Sequence, residues 1–247
     1  MKQQNNRLKL AAAFILGTIL CFGAFQVYGA LQATSQLTLE EMYQNAIEDA
    51  MIAHPCEVSS NLTPIADSNT DLVWQGEDGN RTVLVVTLTK YASSYPVGAE
   101  VCTSWGETWV TVVPEIQNFF QNNVGVDCNL TLRTLQLLGL PPDCSNTCFV
   151  EMWVSPDALF RPTPDSEITD ETAQLDFPSS TTAEYKDWFN SNIVYSYFPQ
   201  RYPWTRLGYT YDWGNTDSHV GLSEFVLKQN STVTVKAVYT IDTYLGE

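Results

Sequence analysis

The chain has 247 residues, 44% of them hydrophobic and 12% aromatic, and a formal net charge of −16. This length suits one domain with a core of its own. The acidic excess argues against nucleic acid or an anionic membrane surface as partner, because phosphates are gripped by Lys and Arg. With two histidines and no CxxC pair, the sequence also lacks the ligand pattern of a zinc or copper centre, so the expected metal is none.

The first residues, MKQQNNRLKLAAAFILGTILCFGAFQVYGA, join a basic start (Lys2, Arg7, Lys9) to an apolar run from Leu10 and small residues at Gly29 and Ala30. This pattern reads as a secretory signal peptide over 1–29. The other reading is an uncleaved membrane anchor, since a spanning helix needs roughly 20 apolar residues. Either way, residues 30–247 are expected to form a single domain outside the cytoplasm, secreted or periplasmic. A membrane contact enters only with the uncleaved anchor. Five cysteines remain beyond the leader: Cys56, Cys102, Cys128, Cys144 and Cys148. An oxidising compartment predicts two disulfides and one thiol among them, with the pairing open.

Thr38 and Glu41 have the spacing of a capping box, and Leu39, Met42, Tyr43, Ala46, Ile47, Ala50 and Met51 recur at helical period. A helix over 38–53 follows, stopped at His54-Pro55. TVLVVTLTKY (82–91) reads as a central strand and ETWVTVV (107–113) as a second, after which Pro114 opens a short helix. NLTLRTLQLLGL (129–140) predicts a helix ended by Pro141 and Pro142. CFVEMWV (148–154) is a strand with Val150, Met152 and Val154 on one face and Phe149, Glu151 and Trp153 on the other. Residues 155–180 are loop-like and acidic, and TAEYKDWFNSN suggests a short helix. LSEFVLKQNSTVTVKAVYT reads as two strands joined by a polar turn at Gln229 and Asn230. Strands and helices mix without regular alternation, which predicts an α+β fold with a mainly antiparallel sheet, several short helices and disulfides.

No phosphate-cradling loop, GxSxG elbow or HExxH occurs. His219 follows Asp217 and Ser218, but adjacency in sequence does not make a triad. The cluster Asp165, Glu167, Asp170, Glu171 fits no EF-hand spacing and reads as a solvated acidic loop. The sequons at Asn61, Asn80, Asn129 and Asn230 mark surface positions where the producing cell glycosylates.

The densest unusual composition is aromatic. Between 195 and 213 stand Tyr195, Tyr197, Phe198, Tyr202, Trp204, Tyr209, Tyr211 and Trp213, interleaved with Arg201, Arg206 and Asp212. Rings of this size most often fill cores, yet they also cover the apolar faces of sugars. If LGYTYDW is a strand, Tyr209, Tyr211 and Trp213 share a face.

Two segments resemble ADP-ribosyltransferase-like toxin folds. SYPVGAEVCTSWGETWVTVVPEIQNFF (94–120) is similar to the part where a VG turn precedes a strand with Ser/Thr and then a helix. GLSEFVLKQNSTVTVKAVY (221–239) is similar to the closing strands that begin at a catalytic Glu. The resemblance implies Glu224 as the catalytic carboxylate and Thr111 as the Ser/Thr shelf, with NAD as substrate and no cofactor. A fixed carboxylate would stabilise the positive charge left on the ribose as nicotinamide departs. Arg206 would contact phosphate, and Tyr209 or Trp213 would stack on the ring. Lys90 is the only base on the strand 82–91, and Leu222 stands two positions before Glu224. Both departures favour NAD hydrolysis over transfer to a protein, or a fold without NAD chemistry. The alternative is a non-catalytic secreted protein that uses the aromatic surface to bind a glycan or another small molecule.

Overall fold

The computed structural model describes residues 37–246 except 78, 126, 127 and 200. The leader-like segment 1–29 lies outside the described residues. Among these, no helix is long and apolar enough to cross a membrane. From Leu39 onward the chain forms one unit.

The first helix, α1 (Leu39–Ala50), buries Tyr43, Ala46, Ile47 and Ala50, the stripe its helical period marked. A short strand β1 (Trp74–Gln75) pairs with β2 (Thr82–Thr89). Residues 83–88 of β2 are buried on both faces, as its unbroken apolar run requires. After β3 (Glu100–Cys102) and β4 (Thr108–Val112), Pro114 caps α2 (Glu115–Asn123), one position before the helical start expected of it. Helix α3 (Leu130–Leu137) begins at Asn129, whose side chain accepts from the Leu132 amide at 3.0 Å. It stops before the prolines. Gly139 takes a φ of +64°, its amide reaches the Gln136 carbonyl, and the Leu140 amide reaches that of Leu135. That pair of bonds is a Schellman ending, which glycine completes without strain.

The strands β5 (Cys148–Val154) and β6 (Leu159–Phe160) follow, then α4 (Ala183–Tyr197), which runs five residues beyond the expected TAEYKDWFNSN segment. The chain closes with β7 (Tyr209–Tyr211), β8 (Val220–Ser223), β9 (Phe225–Leu227), β10 (Thr232–Thr240) and the short α5 (Ile241–Leu245). Seven strands lie in the order β3-β10-β5-β2-β4-β9-β6, β1 joins on β2, and β7 and β8 form a separate pair. Every pairing is antiparallel. The fold is therefore α+β with an antiparallel sheet. Strands β9 and β10 are joined through Gln229 and Asn230 but do not pair: β9 lies between β4 and β6, and β10 between β3 and β5.

The alternation of strand residues divides the core. Val83, Val85, Val110, Val112, Val150, Met152, Val154, Phe225 and Leu227 pack on one face. Leu84, Val86 and Phe149 pack on the other, under α2, α3 and α5 through Ile116, Phe120, Leu135 and Tyr244. A third cluster joins α1 to α4 through Tyr43, Ile47, Phe189, Tyr197, Trp204 and Trp213. At roughly 150–250 Å² per ring, this aromatic packing supplies much of the burial on that side.

The disulfides expected from composition are not present. Cys56, Cys102, Cys128, Cys144 and Cys148 are all free thiols. For one pair the register shows why: Cys102 lies opposite Thr232 and Cys148 opposite Thr240, at the two ends of β10. Eight residues of strand separate them by about 26 Å, whereas a disulfide needs Cα atoms within about 7 Å.

Candidate functional site

The sheet has one weak seam. β2 pairs with β5 along its length, from Val83 to Thr89, but with β4 only near its start, at Val85–Val112 and Val86–Thr111, beside which the Val113 amide donates to the Leu84 carbonyl at 3.1 Å. Past Val86 and Thr111 the pairing of β2 with β4 ends, and Thr108–Val110 of β4 pair with β9 instead. The Leu88 carbonyl, on the edge that faces β4, accepts from the Asn146 side chain at 3.1 Å.

A cavity of about 940 Å³ occupies the opening. Residues 87–89 and 108–111 line it from the two strands, and Trp204, Tyr202 and Tyr211 close it from the aromatic segment. Its rings stand in pairs: Tyr95 against Trp105 at 5.3 Å, Trp109 against Trp204 at 6.0 Å, and Tyr195 stacked on Tyr202 at 6.2 Å. Polar side chains between them include Thr87, Thr108, Asn146, Asn192 and Ser196. Among the described lining residues the charged ones are Glu107 and Glu224, both acidic. Basic groups lie over two rings of the wall, Arg201 4.7 Å from Tyr195 and Lys90 5.2 Å from Tyr91.

Glu224 sits between β8 and β9, its amide donating to the Gly208 carbonyl at 2.9 Å. The ladder pairs Thr108 with Leu227 and Val110 with Phe225, so its continuation sets Glu224 opposite Thr111. Both residues line the cavity. Among the described residues the Glu224 carboxylate has no hydrogen-bond or ion-pair partner, and burial pushes its pKa up to about 8. It is thus largely a neutral acid at pH 7, able to donate or release a proton near neutrality.

Thr111 is differently placed. Its hydroxyl donates to Glu115 at 2.9 Å, and Glu115 also accepts from the Thr63 hydroxyl at 3.2 Å and the Ser223 amide at 3.0 Å. Burial raises the Glu115 pKa, opposed by these bonds. This fully engaged carboxylate fixes α2 to β4 and β8, and leaves Glu224 as the uncommitted acid beside it.

The other three residues marked by the sequence lie outside the cavity lining. Arg206 donates to the carbonyls of Ala50 and Met51 at 3.2 and 2.8 Å, with its guanidinium 5.4 Å from the Tyr197 ring. Tyr197 is pushed up to about 12, first by burial, with Arg206 lowering and Glu224 raising it. Arg206 and Glu224 therefore act on the same phenol. Tyr209 is fully buried and donates to the Glu57 carbonyl at 2.9 Å. Trp213 packs edge-on against Tyr43 and donates to the Leu140 carbonyl at 3.0 Å.

Sequence reasoning passed over Trp109, although its period-2 relation to Thr111 sets both on one face of β4. Asn146 and Glu107 carried no local signal. Ser218 accepts from the Val220 amide and the Asp217 amide donates to Asn215, turn bonds rather than a catalytic relay with His219. A scan against protein-family models, a search of curated proteins and a search of solved structures each find no match to this chain.

Proposed function

We propose that the protein binds a neutral, ring-containing small molecule, a glycan segment foremost, in the cavity between β2 and β4. The observation that carries this reading is the make-up of the wall: paired aromatic rings, uncharged polar side chains and a carboxylate without a partner, with no Lys or Arg among the described lining residues. Flat rings cover the apolar faces of sugars, while hydroxyl and amide groups take their hydrogen bonds. The volume falls in the range of small-molecule sites, about 300–1,000 Å³. Glu224 in its neutral form supplies a donor to a ligand oxygen. The leader-like N-terminus supports a site of action outside the cytoplasm, where glycans are abundant.

A second reading, cleavage of NAD in the manner of the ADP-ribosyltransferase-like folds, is favoured by one observation: Glu224 and Thr111 share the cavity, as that resemblance requires. It is opposed by the acidic lining, which offers the diphosphate no base, and by the engagement of Arg206 with α1.

A glycan array probed with the purified protein, with tryptophan fluorescence titration of the glycans retained, tests the first reading. Binding weakened about tenfold or more in Trp105→Ala and Tyr202→Ala, with folding kept, is the expected result. Absence of binding by folded protein, together with nicotinamide release from NAD that is abolished by Glu224→Gln, would replace the first reading by the second.

A further inference from the structure

Away from the cavity, side chains from three segments converge on one small hollow. Asp49 comes from the last turn of α1, Glu57 from the 3₁₀ turn after it, and His219 from the approach to β8. One ligand atom from each lies within 4.8 Å of the others. The imidazole is held between the two acids, Nδ1 at 3.8 Å from Asp49 Oδ2 and Nε2 at 3.9 Å from Glu57 Oε1. The hollow they border has a volume of about 10 Å³, room for one water-sized sphere.

Each of the three is already aimed by a neighbour. The Tyr211 hydroxyl donates to Asp49 Oδ2 at 2.8 Å, and the His54 amide donates to Glu57 Oε2 at 2.6 Å. The Tyr211 ring stacks on the imidazole at 4.8 Å, and the Tyr209 hydroxyl stands 3.3 Å from Nε2. Orientation of this kind is what outer groups supply around metal ligands. Among the described residues neither carboxylate meets a Lys or Arg, so one imidazole faces two negative charges. Their field adds to burial in raising the Tyr209 and Tyr211 hydroxyls.

We propose that Asp49, Glu57 and His219 form a site for a divalent transition-metal ion, zinc by its donor set, with water completing the coordination. One imidazole nitrogen and two carboxylate oxygens suit zinc better than magnesium or calcium, which take oxygen alone. Ligation at about 2.0–2.2 Å places tetrahedral donors about 3.4 Å apart. From separations within 4.8 Å, the side chains reach that spacing by closing up to about 1.4 Å, a movement available to the half-exposed Asp49. The bound ion would clip α1, the following turn and the β7–β8 pair together. None of the three ligands lines the cavity, although Tyr211, which aims Asp49, borders both.

The test is titration of chelator-stripped full-length protein with zinc chloride, followed by calorimetry and by thermal unfolding. Saturable uptake of one ion per chain is expected, with a rise in Tm that a chelator reverses. His219→Ala and Glu57→Gln should each weaken uptake about tenfold or more, while Glu184→Gln, on the exposed side of α4, should leave it unchanged. No uptake by the folded wild-type protein, uptake unaltered by both substitutions, or an equal response to magnesium would overturn the assignment. Circular dichroism of each variant separates lost binding from lost folding, and Glu57→Gln keeps the test open if His219→Ala does not fold.

Discussion

Glu224 and Thr111 stand opposite one another where β4 passes from β2 to β9, but only Thr111 is engaged by the protein. Its hydroxyl is engaged by Glu115, while the Glu224 carboxylate beside it has no hydrogen-bond partner among the described residues and borders the cavity. Two acids on neighbouring elements thus have opposite fates, one holding the fold together and the other weakening it.

Stability should reveal that cost. The folded pKa of Glu224, about 8, exceeds the unfolded value of about 4.3, so the native state holds this proton more tightly. No penalty exists below about pH 4; it grows as pH rises between the two values and is complete above pH 8. Relative to wild type, Glu224→Gln should therefore gain on the order of 5 kcal/mol between pH 4 and pH 9. Urea unfolding of both proteins at pH 4, 6 and 9 checks this, and a difference independent of pH would contradict it.

Substitution of the engaged acid should cost stability instead of adding it. Glu115→Gln sets an amide against hydrogen-bond donors from Thr63, Thr111 and Ser223, and should destabilise by about 2–4 kcal/mol at neutral pH. Thr111→Val removes one of these bonds and should cost about 1 kcal/mol. The effects should be less than additive in a double-mutant cycle, because the residues share one network.

Asp212 offers a third stability test. It is fully buried and accepts a forked pair of bonds from Arg133, at 2.7 and 2.5 Å, and one from the Gly214 amide at 3.1 Å. Asp212→Ala leaves the Arg133 guanidinium, which lies over the Phe119 ring, without its partner and should cost about 3–5 kcal/mol in denaturant unfolding. Asp67→Ala, at the exposed pair with Arg81, should change stability by less than about 1 kcal/mol.

The thiols can be counted by rate. Cys56 and Cys102 are exposed, whereas Cys128, Cys144 and Cys148 are half-buried. Labelling of native protein with a maleimide should modify the first two ahead of the other three. Mass spectrometry of tryptic peptides identifies the order, and peptides linked through cysteine under non-reducing conditions would contradict the free-thiol state.

The strands were legible because their signals are local. CFVEMWV and TVLVVTLT show their faces through period-2 apolarity, and β5 occupies the span expected of it. The two strands across Gln229 and Asn230 were legible as elements, but nothing in the segment says that they pair with other partners. The helix expected over 129–140 ends before its prolines, because Gly139, with its left-handed φ, stops it first. At the site, Glu224 and Thr111 could be named from a pattern, while the opening that makes them neighbours of one cavity depends on long-range register. The aromatic run was visible, yet composition does not say that Trp204 and Tyr211 reach the cavity while Tyr209 and Trp213 face elsewhere. Asp49, Glu57 and His219 span 170 positions of sequence, and only the fold brings them into reach of one ion.

The divergence of β2 from β4 also bears on how a guest would be received. Strand alternation turns the main-chain groups of Trp109 toward the space where β2 would have continued, and Asn146 already stands in for a missing strand at the Leu88 carbonyl. Both margins are hydrogen-bonded to their outer neighbours, β5 and β9. A molecule entering between them would meet peptide groups already pointed at it and would have little chain left to order. Selectivity at this opening would then rest as much on backbone amides, which side-chain replacement cannot remove, as on the rings around it.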